Sequence, residues 1–315
     1  MAEFRFSCNV FAIRSASEFG DHCRRVESLG YDVVFTADHL GRPSPFPALV
    51  AAAQATERMR VGTLVINVPF WNPALLAREI ATTDLLTGGR LEVGLGAGHM
   101  KWEFDEAGIE WQPFGARTER LRSTIAELAR QFALDGFPQQ QEARAEHGLP
   151  ALRPVQRTGF DGSGPPLLVG GTGDRVLRIA ADTADIIGIS GIRQIPGHPP
   201  GTFRICTAEE IDERVRFARE NAGPRADQVE WQALVQAVAP SEDRRTTAAE
   251  LLPRFGGTMT LDELLETPFL LIGTVEQMAE QVRRNRERFG FTHWTVHAPY
   301  VEAFAPVLQR LREAG

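Results

Sequence analysis

The strongest constraint on the fold is a periodicity of structure without any repeat of residues. Apolar, β-rich runs begin near residues 4, 32, 60 and 91, with a helical segment between each pair. That interval of about 30 residues is the length of a strand–helix–strand unit. The first run, 4–10, leads to a helix over 17–29, with Ser17 expected as its N-cap and Gly30 as its stop. Residues 32–36 read as a short strand, 47–56 as a helix and 60–66 as a strand. Pro73 then opens a helix to Leu86 that Gly88-Gly89 ends, and 91–95 is the next strand. Alternation this regular predicts parallel strands covered by helices.

The later units are longer. A helix over 114–132 precedes a Gln-, Pro- and Gly-rich passage, 136–165, read as a long loop over a binding face. Strands follow at 166–169, 186–190, 229–238 and 292–297, with helices at 173–181, 208–221, 275–289 and 303–313. Residues 194–204 form a proline-rich loop and 242–266 an inserted helical piece. The apolar run 269–272 is taken as the lead-in to its helix. Eight strands and eight helices predict an α/β fold, a TIM (β/α)8 barrel, with an open doubly wound sheet as the rival. No shift in composition marks a boundary. Residues 1–315 are therefore read as a single barrel domain with insertions at about 137–165, 193–204 and 242–267 in the loops of its C-terminal face.

Composition narrows the partners. At 43% hydrophobic and 24% charged, the chain is ordinary globular protein. Its net charge of −7 leaves no basic stripe for nucleic-acid phosphates, and among 34 basic residues only Lys101 is lysine. Cys8, Cys23 and Cys206 are too few and too scattered for a disulfide framework or a zinc site. The first residues show no secretory signal, and no apolar run is long enough to span a membrane, so a cytoplasmic protein is expected. No metal-binding spacing and no Gly-x-Ser-x-Gly elbow occurs.

Chemistry in a barrel sits at the carboxyl ends of the strands. After the second strand comes Asp38-His39, a candidate proton-transfer pair or a histidine serving a loop hydrogen bond. After the fourth comes Gly94-Leu95-Gly96-Ala97-Gly98-His99, whose alternate glycines would let a flat ligand approach the backbone. It is not a dinucleotide fingerprint, because it does not open directly into a helix. After the fifth, Gly170-Gly171-Thr172-Gly173 runs straight into a helix, forming either a phosphate site of backbone N–H groups or a plain tight turn. The last strand ends at His297. Trp71, Trp102, Phe104 and Trp111 lie near the expected mouth, as substrate contacts or as loop packing.

These residues carry a resemblance. Val61-Gly62-Thr63, Asn72-Pro73-Ala74-Leu75-Leu76-Ala77 and the run from Leu85 through Arg90-Leu91-Glu92-Val93 to Gly98 resemble the luciferase-like monooxygenase superfamily. So do Asp38-His39, Pro166-Leu167-Leu168-Val169-Gly170-Gly171 and Leu271-Ile272-Gly273-Thr274. The resemblance implies a TIM-like barrel, dimeric through the helices at 47–56 and 73–86. It implies FMN or the deazaflavin coenzyme F420 as cofactor, and Asp38-His39 looks more like the F420-dependent oxidoreductase branch. It further implies a non-prolyl cis peptide at Leu64–Val65 and a cofactor bed of Leu64, Val65, Asn67, Gly96 and Gly98. The phosphate would rest on Gly170, Gly171, Thr172 and Gly173, with the Thr172 hydroxyl as an added donor.

In that reading His39 is the acid/base or charge stabiliser beside the cofactor ring, with Asp38 modulating it. His99 stands on the substrate side, where deazaflavin-dependent sugar-phosphate dehydrogenases carry a glutamate, or only caps its loop. An unperturbed imidazole titrates near pH 6.5, so both histidines are expected to exchange protons at neutral pH. Ser190, Arg193, His297, Trp71 and Trp102 are the candidate substrate contacts. The sugar-phosphate enzymes use lysines that this chain lacks, and Arg193 is the candidate substitute. Three other functions remain open: an FMNH2-dependent two-component monooxygenase, a catalytically silent ligand-binding barrel, and an aldolase or isomerase. The last lacks a Schiff-base lysine in a strand.

Overall fold

The computed structural model describes residues 3–255 and 259–313. Residues 1–2, part of the segment read for a targeting signal, and residues 256–258, part of the insertion expected at 242–267, lie outside the described residues. The chain runs β1 (Arg5–Val10), α1 (Ala16–Ser28), β2 (Val33–Thr36), α2 (Pro45–Ala55), β3 (Arg60–Thr63), β4 (Ile66–Asn67), α3 (Pro73–Leu86) and β5 (Leu91–Gly96). It continues through α4 (Lys101–Ala107), α5 (Phe114–Ala133), α6 (Gln141–His147), β6 (Leu167–Gly170), α7 (Asp174–Thr183) and β7 (Ile186–Ile189). Next come β8 (Ile192–Gln194), β9 (Phe203–Ile205), α8 (Ala208–Ala222), β10 (Glu230–Val235), β11 (Ala237–Pro240), α9 (Arg244–Phe255) and α10 (Leu261–Glu266). Last are β12 (Leu270–Gly273), α11 (Val275–Phe289), β13 (His293–His297) and α12 (Val301–Glu313).

The main sheet is parallel in the order β3-β2-β1-β13-β10-β7-β6-β5, and β3 pairs with β5 through Val61↔Leu91 and Gly62↔Glu92 to close it. β4 prolongs the third stave and pairs with β5 at Ile66↔Leu95. Counting β3 and β4 as one stave gives eight, and closure excludes the open-sheet rival. Among the described residues no helix is long and apolar enough to cross a membrane.

Local chemistry explains the boundaries. Asn72 caps α3 by accepting from the N–H groups of Ala74 and Leu75, with Pro73 at the first helical position. Capping boxes start α8 (Thr207 with Glu210) and α11 (Thr274 with Gln277), and α11 stops at Gly290 in the left-handed region. The N-cap of α1 is Ser15 and not Ser17. Ser15 is extended and its hydroxyl accepts from Glu18 N at 3.2 Å, whereas Ser17 is already helical.

Two expectations about the later units change. The strand expected over 229–238 breaks at Gln236, and its continuation, β11, leaves the barrel to pair in parallel with β12. The run at 269–272 is thus a strand rather than a helix lead-in. The passage 136–165 holds α6 and sits at the opposite end of the barrel from the binding face. Asp84 accepts from the N–H groups of Val155 and Gln156, and Gln156 donates to Leu91 O at the start of β5. The reason is topological: a helix-to-strand connection returns to the amino face, and only strand-to-helix loops reach the carboxyl face.

That amino face is sealed by charge. Arg5 bridges Glu230 and Glu92 at 2.5 Å each, and Arg60 also donates to Glu92 at 2.6 Å. Burial works to raise the Glu230 carboxyl, but His293 and Arg5 outweigh it and hold its pKa at about 2. Because the folded value lies below the unfolded one, this contribution is present above about pH 4.5 and is lost as pH falls toward 2. It is worth on the order of 2–3 kcal/mol. Urea unfolding between pH 6 and pH 2.5 should therefore show a shallower fall in stability for Glu230→Gln than for the wild type. Parallel curves would remove Glu230 from the acid response.

Candidate active site

At the carboxyl face the strands enclose a cavity of about 760 Å³. Its wall gathers Asp38 and His39 from the loop after β2, and Leu64, Val65 and Asn67 from the β3–β4 stave. Gly96, Gly98 and His99 come from the end of β5, Gly170 to Gly173 from the end of β6, and Ser190 and Arg193 from beyond β7. His297 ends β13. Of the residues expected from sequence, Trp71 and Trp102 do not reach the wall. The Trp71 indole donates to Asp38 Oδ2 at 2.8 Å from behind, and Trp102 is 48% exposed on α4. Phe104 and Trp111 pack on each other and on the Arg117 guanidinium, which lies 3.6 Å from the Trp111 ring centre.

The Leu64–Val65 peptide between β3 and β4 is cis, as the resemblance implied. The alternate glycines of β5 serve this junction first. A Cβ on Gly94 would lie 2.1 Å from Thr63 O, and one on Gly96 2.6 Å from Val65 Cγ2. Gly98, at φ +74°, would place a Cβ 2.5 Å from Asn67 Oδ1. So the glycines let the neighbouring stave's backbone approach, and only Gly96 and Gly98 also face the cavity.

The carboxylate partner of His39 differs from the expected one. His39 Nδ1 meets Glu103 Oε1 at 2.8 Å, and Glu103 is 2% exposed at the start of α4. Asp38 instead accepts from Asn67 N at 3.1 Å and from Trp71, so it braces the loop. Burial raises the Asp38 pKa, and those hydrogen bonds oppose the rise. Nε2 is the His39 ring nitrogen left without a protein hydrogen bond among the described residues.

His99 stands edge-on to His39, ring centres 5.4 Å apart, and its other side meets Phe203 of β9. Burial, then the nearby His39 and Arg117, lower its pKa to about 4. Burial also lowers His297 to about 4. The expectation that His99 titrates near neutrality fails for that reason. It is a neutral hydrogen-bonding group at pH 7.

The turn read as a phosphate site also differs from expectation. Gly171 N–H donates to Gly188 O at 2.9 Å and the Thr172 hydroxyl to Ile192 O at 2.8 Å, so neither is the free donor expected. What remains is the first turn of α7. Its N-cap, Gly173, offers no side-chain cap, and the N–H groups of a first turn lack intrahelical acceptors. Two guanidiniums reach the wall and both are ion-paired. Arg193 meets Glu210 at 3.1 Å, and Arg214 pairs with Asp174 and Glu213. Lys101 lies off the wall on Asp105 at 2.6 Å.

The luciferase-like monooxygenase family matches residues 2–196 of this sequence. The chain belongs to that family. Along its length this luciferase-like chain is 28% identical to an F420-dependent glucose-6-phosphate dehydrogenase of Intrasporangium calvum, over 90% of this chain and 91% of that protein. Its fold superposes on the coenzyme F420-dependent tetrahydromethanopterin reductase of Methanopyrus kandleri with a TM-score of 0.71 at 18% identity, covering 98% and 100% of the two chains. A long-chain alkane monooxygenase gives 0.72 at 13% identity, covering 100% and 92%. The two structural likenesses concern the fold.

Glu103, Phe203 and Asn9 are among the wall residues of the luciferase-like site that escaped the sequence reading. Glu103 carried a usable signal, a carboxylate in the first turn of the helix after the glycine run, but the flanking Trp102 and Phe104 drew attention to apolar contacts. Phe203 arrives on the antiparallel β8–β9 hairpin, which the prolines of 194–204 disguised as loop. Asn9 is buried within a strand and had no local signature.

Proposed function

We propose that this chain is an F420-dependent oxidoreductase that moves a hydride between the deazaflavin and a small, uncharged organic substrate. The observation that carries this reading is the His39–Glu103 pair set on the same cavity as the Leu64–Val65 shelf. The wall fits a flat, polar-edged ring. Gly96, Gly98 and Gly170 leave its bed without side chains, and Asn67 Oδ1 is buried with no protein partner, ready to accept from a ring N–H. The first turn of α7 would face the cofactor's phosphate. When bound, the deazaflavin supplies a two-electron hydride carrier.

The chain's own part is proton handling and exclusion of water. His39 Nε2 takes or returns the proton of the reacting oxygen, and Glu103 holds the imidazole in the tautomer that leaves Nε2 free. His99 and His297, both neutral, orient the substrate by hydrogen bonding. Among the described residues a phosphorylated sugar finds no unpaired cation on this wall, since Arg193 and Arg214 are both engaged. A ketone or a secondary alcohol suits it better.

The test is a spectral titration of the purified protein with coenzyme F420 and, separately, with FMN. F420 is expected to bind more tightly. Micromolar FMN binding without detectable F420 binding would overturn the proposal in favour of a two-component monooxygenase.

The family resemblance also carries a dimer through α2 and α3, which we adopt as part of the proposal. Leu75, Leu85 and Leu86 stand on the outer side of α3, each at least 50% exposed, in agreement with a face that a second copy covers. Light scattering should report a dimer for the wild type and a monomer for the Leu75→Glu, Leu86→Glu variant. A wild-type monomer, or a variant that stays dimeric, would place the contact elsewhere.

A further inference from the structure

Beside the main cavity lies a second pocket of about 290 Å³, between α5 and α7, lined by Arg122, Arg175 and Arg178 with Gly115 and Thr118. Glu119 and Ile179 complete its wall. The two spaces share a border. Phe114 lines the main cavity and Gly115 the pocket; Asp174 lines the main cavity and Arg175 the pocket. The first turns of two helices therefore straddle both. A chain leaving the main cavity over Gly173 passes the Phe114 ring, 3.6 Å from where a Gly173 Cβ would sit, and arrives at the guanidiniums.

The pocket carries more positive charge than its surroundings neutralise. Arg122 reaches Asp182 at 3.4 Å and Glu119 at 3.9 Å, both acids being more than half exposed. Arg178 lies over the Phe217 ring at 5.0 Å, and among the described residues Arg175 has no ion-pair partner. Gly115 maintains the room for Arg175, because a Cβ there would lie 2.2 Å from its Nη1. Three guanidiniums around one pocket repel one another unless an anion sits among them.

We infer that this pocket binds the carboxylate-rich extension of the cofactor, the glutamate chain that coenzyme F420 carries beyond its phosphodiester. The inference rests on the deazaflavin reading above and assigns it a binding site outside the reaction chamber. Guanidiniums suit carboxylates because their planar fork matches two oxygens at once. The pocket contributes affinity and leaves the chemistry untouched.

Fluorescence titration of the full-length protein with two ligands tests this: the phospholactyl deazaflavin without glutamates, and the oligoglutamyl form. In low salt the oligoglutamyl form should bind the wild type about tenfold more tightly, the sum of a few partly exposed carboxylate–arginine pairs. Arg175→Gln with Arg178→Gln should abolish that difference while the glutamate-free form binds as before, and high salt should do the same to the wild type. Arg175→Lys, which retains charge, should keep part of the preference and controls for folding. Equal binding of both forms to the wild type would overturn the tail site alone. An equal loss for both forms in the glutamine variant would also overturn it, and binding of neither form would overturn the deazaflavin reading with it.

Discussion

His39→Ala is expected to slow turnover of an alcohol or ketone by about 10²–10⁴, the range for removing a general acid–base group, with little change in deazaflavin affinity. The expectation rests on geometry. His39 faces the cavity, its Nδ1 is held by Glu103 at 2.8 Å, and burial lowers the other two imidazoles on that wall, His99 and His297, to about 4. Glu103→Gln should cost nearly as much, because the amide can donate to Nδ1 and so favour the tautomer that carries its proton on Nε2. A merely structural Glu103 would lower stability and leave the pH profile unmoved, so the profile is the deciding readout. His99→Ala should lower the rate less, and its profile between pH 5 and 8 should overlay the wild type, since a group with a pKa of about 4 is already neutral throughout that window. Single-turnover absorbance with a ketone would measure all three. An unaltered rate in His39→Ala would dismiss it as the proton-transfer group.

The second large effect is on folding. Gly94→Ala would drive a Cβ to 2.1 Å from Thr63 O, and that oxygen belongs to the stave that continues into the Leu64–Val65 cis peptide. A side chain can rotate away from such a contact, but a backbone carbonyl locked in a barrel cannot. Thr63 is also bound to Gly94 twice, its hydroxyl accepting from Gly94 N at 2.8 Å and donating to Gly94 O at 2.9 Å. Overpacking a core typically costs about 1–3 kcal/mol, and this unyielding contact should reach about 3 kcal/mol or more. Gly20→Ala provides the contrast. Its Cβ would meet only ordinary contacts at 3.5 Å and beyond, inside α1, where alanine is favoured over glycine by roughly 0.5–1 kcal/mol. Urea denaturation of the pair should therefore give changes of opposite sign. A Gly94→Ala protein within about 1 kcal/mol of the wild type would show that the staves can part.

Much of the site was legible because barrel geometry converts sequence position into place. Once the strands at 4, 32, 60, 91 and 166 are recognised, His39, His99 and Gly170 to Gly173 must come to one face, and they do. Trp71 and Trp102 follow the same rule of position and still miss the cavity, because Trp71 turns its indole to Asp38 and Trp102 stays on the outer side of α4. The passage 136–165 misled for a different reason. Its length and composition suggested a functional loop, yet the connection joins a helix end to a strand start and belongs to the amino face.

By itself the sequence determined the eight-unit order, the family and the ring of strand ends from which the site is drawn, since apolar periodicity, caps and glycine stops are local properties of the chain. It also contained the glycine pattern of β5, though not its main purpose. Only the tertiary structure decided the partnerships. It gave His39 to Glu103 instead of the adjacent Asp38, spent the Thr172 hydroxyl and the Gly171 amide on the fold, and tied Arg193 to Glu210. It also lowered His99 out of the neutral range by burying it between His39 and Phe203. Hydrogen-bond partners and burial depend on which side chains arrive from distant staves, and that arrival is a property of the closed barrel that no local pattern encodes.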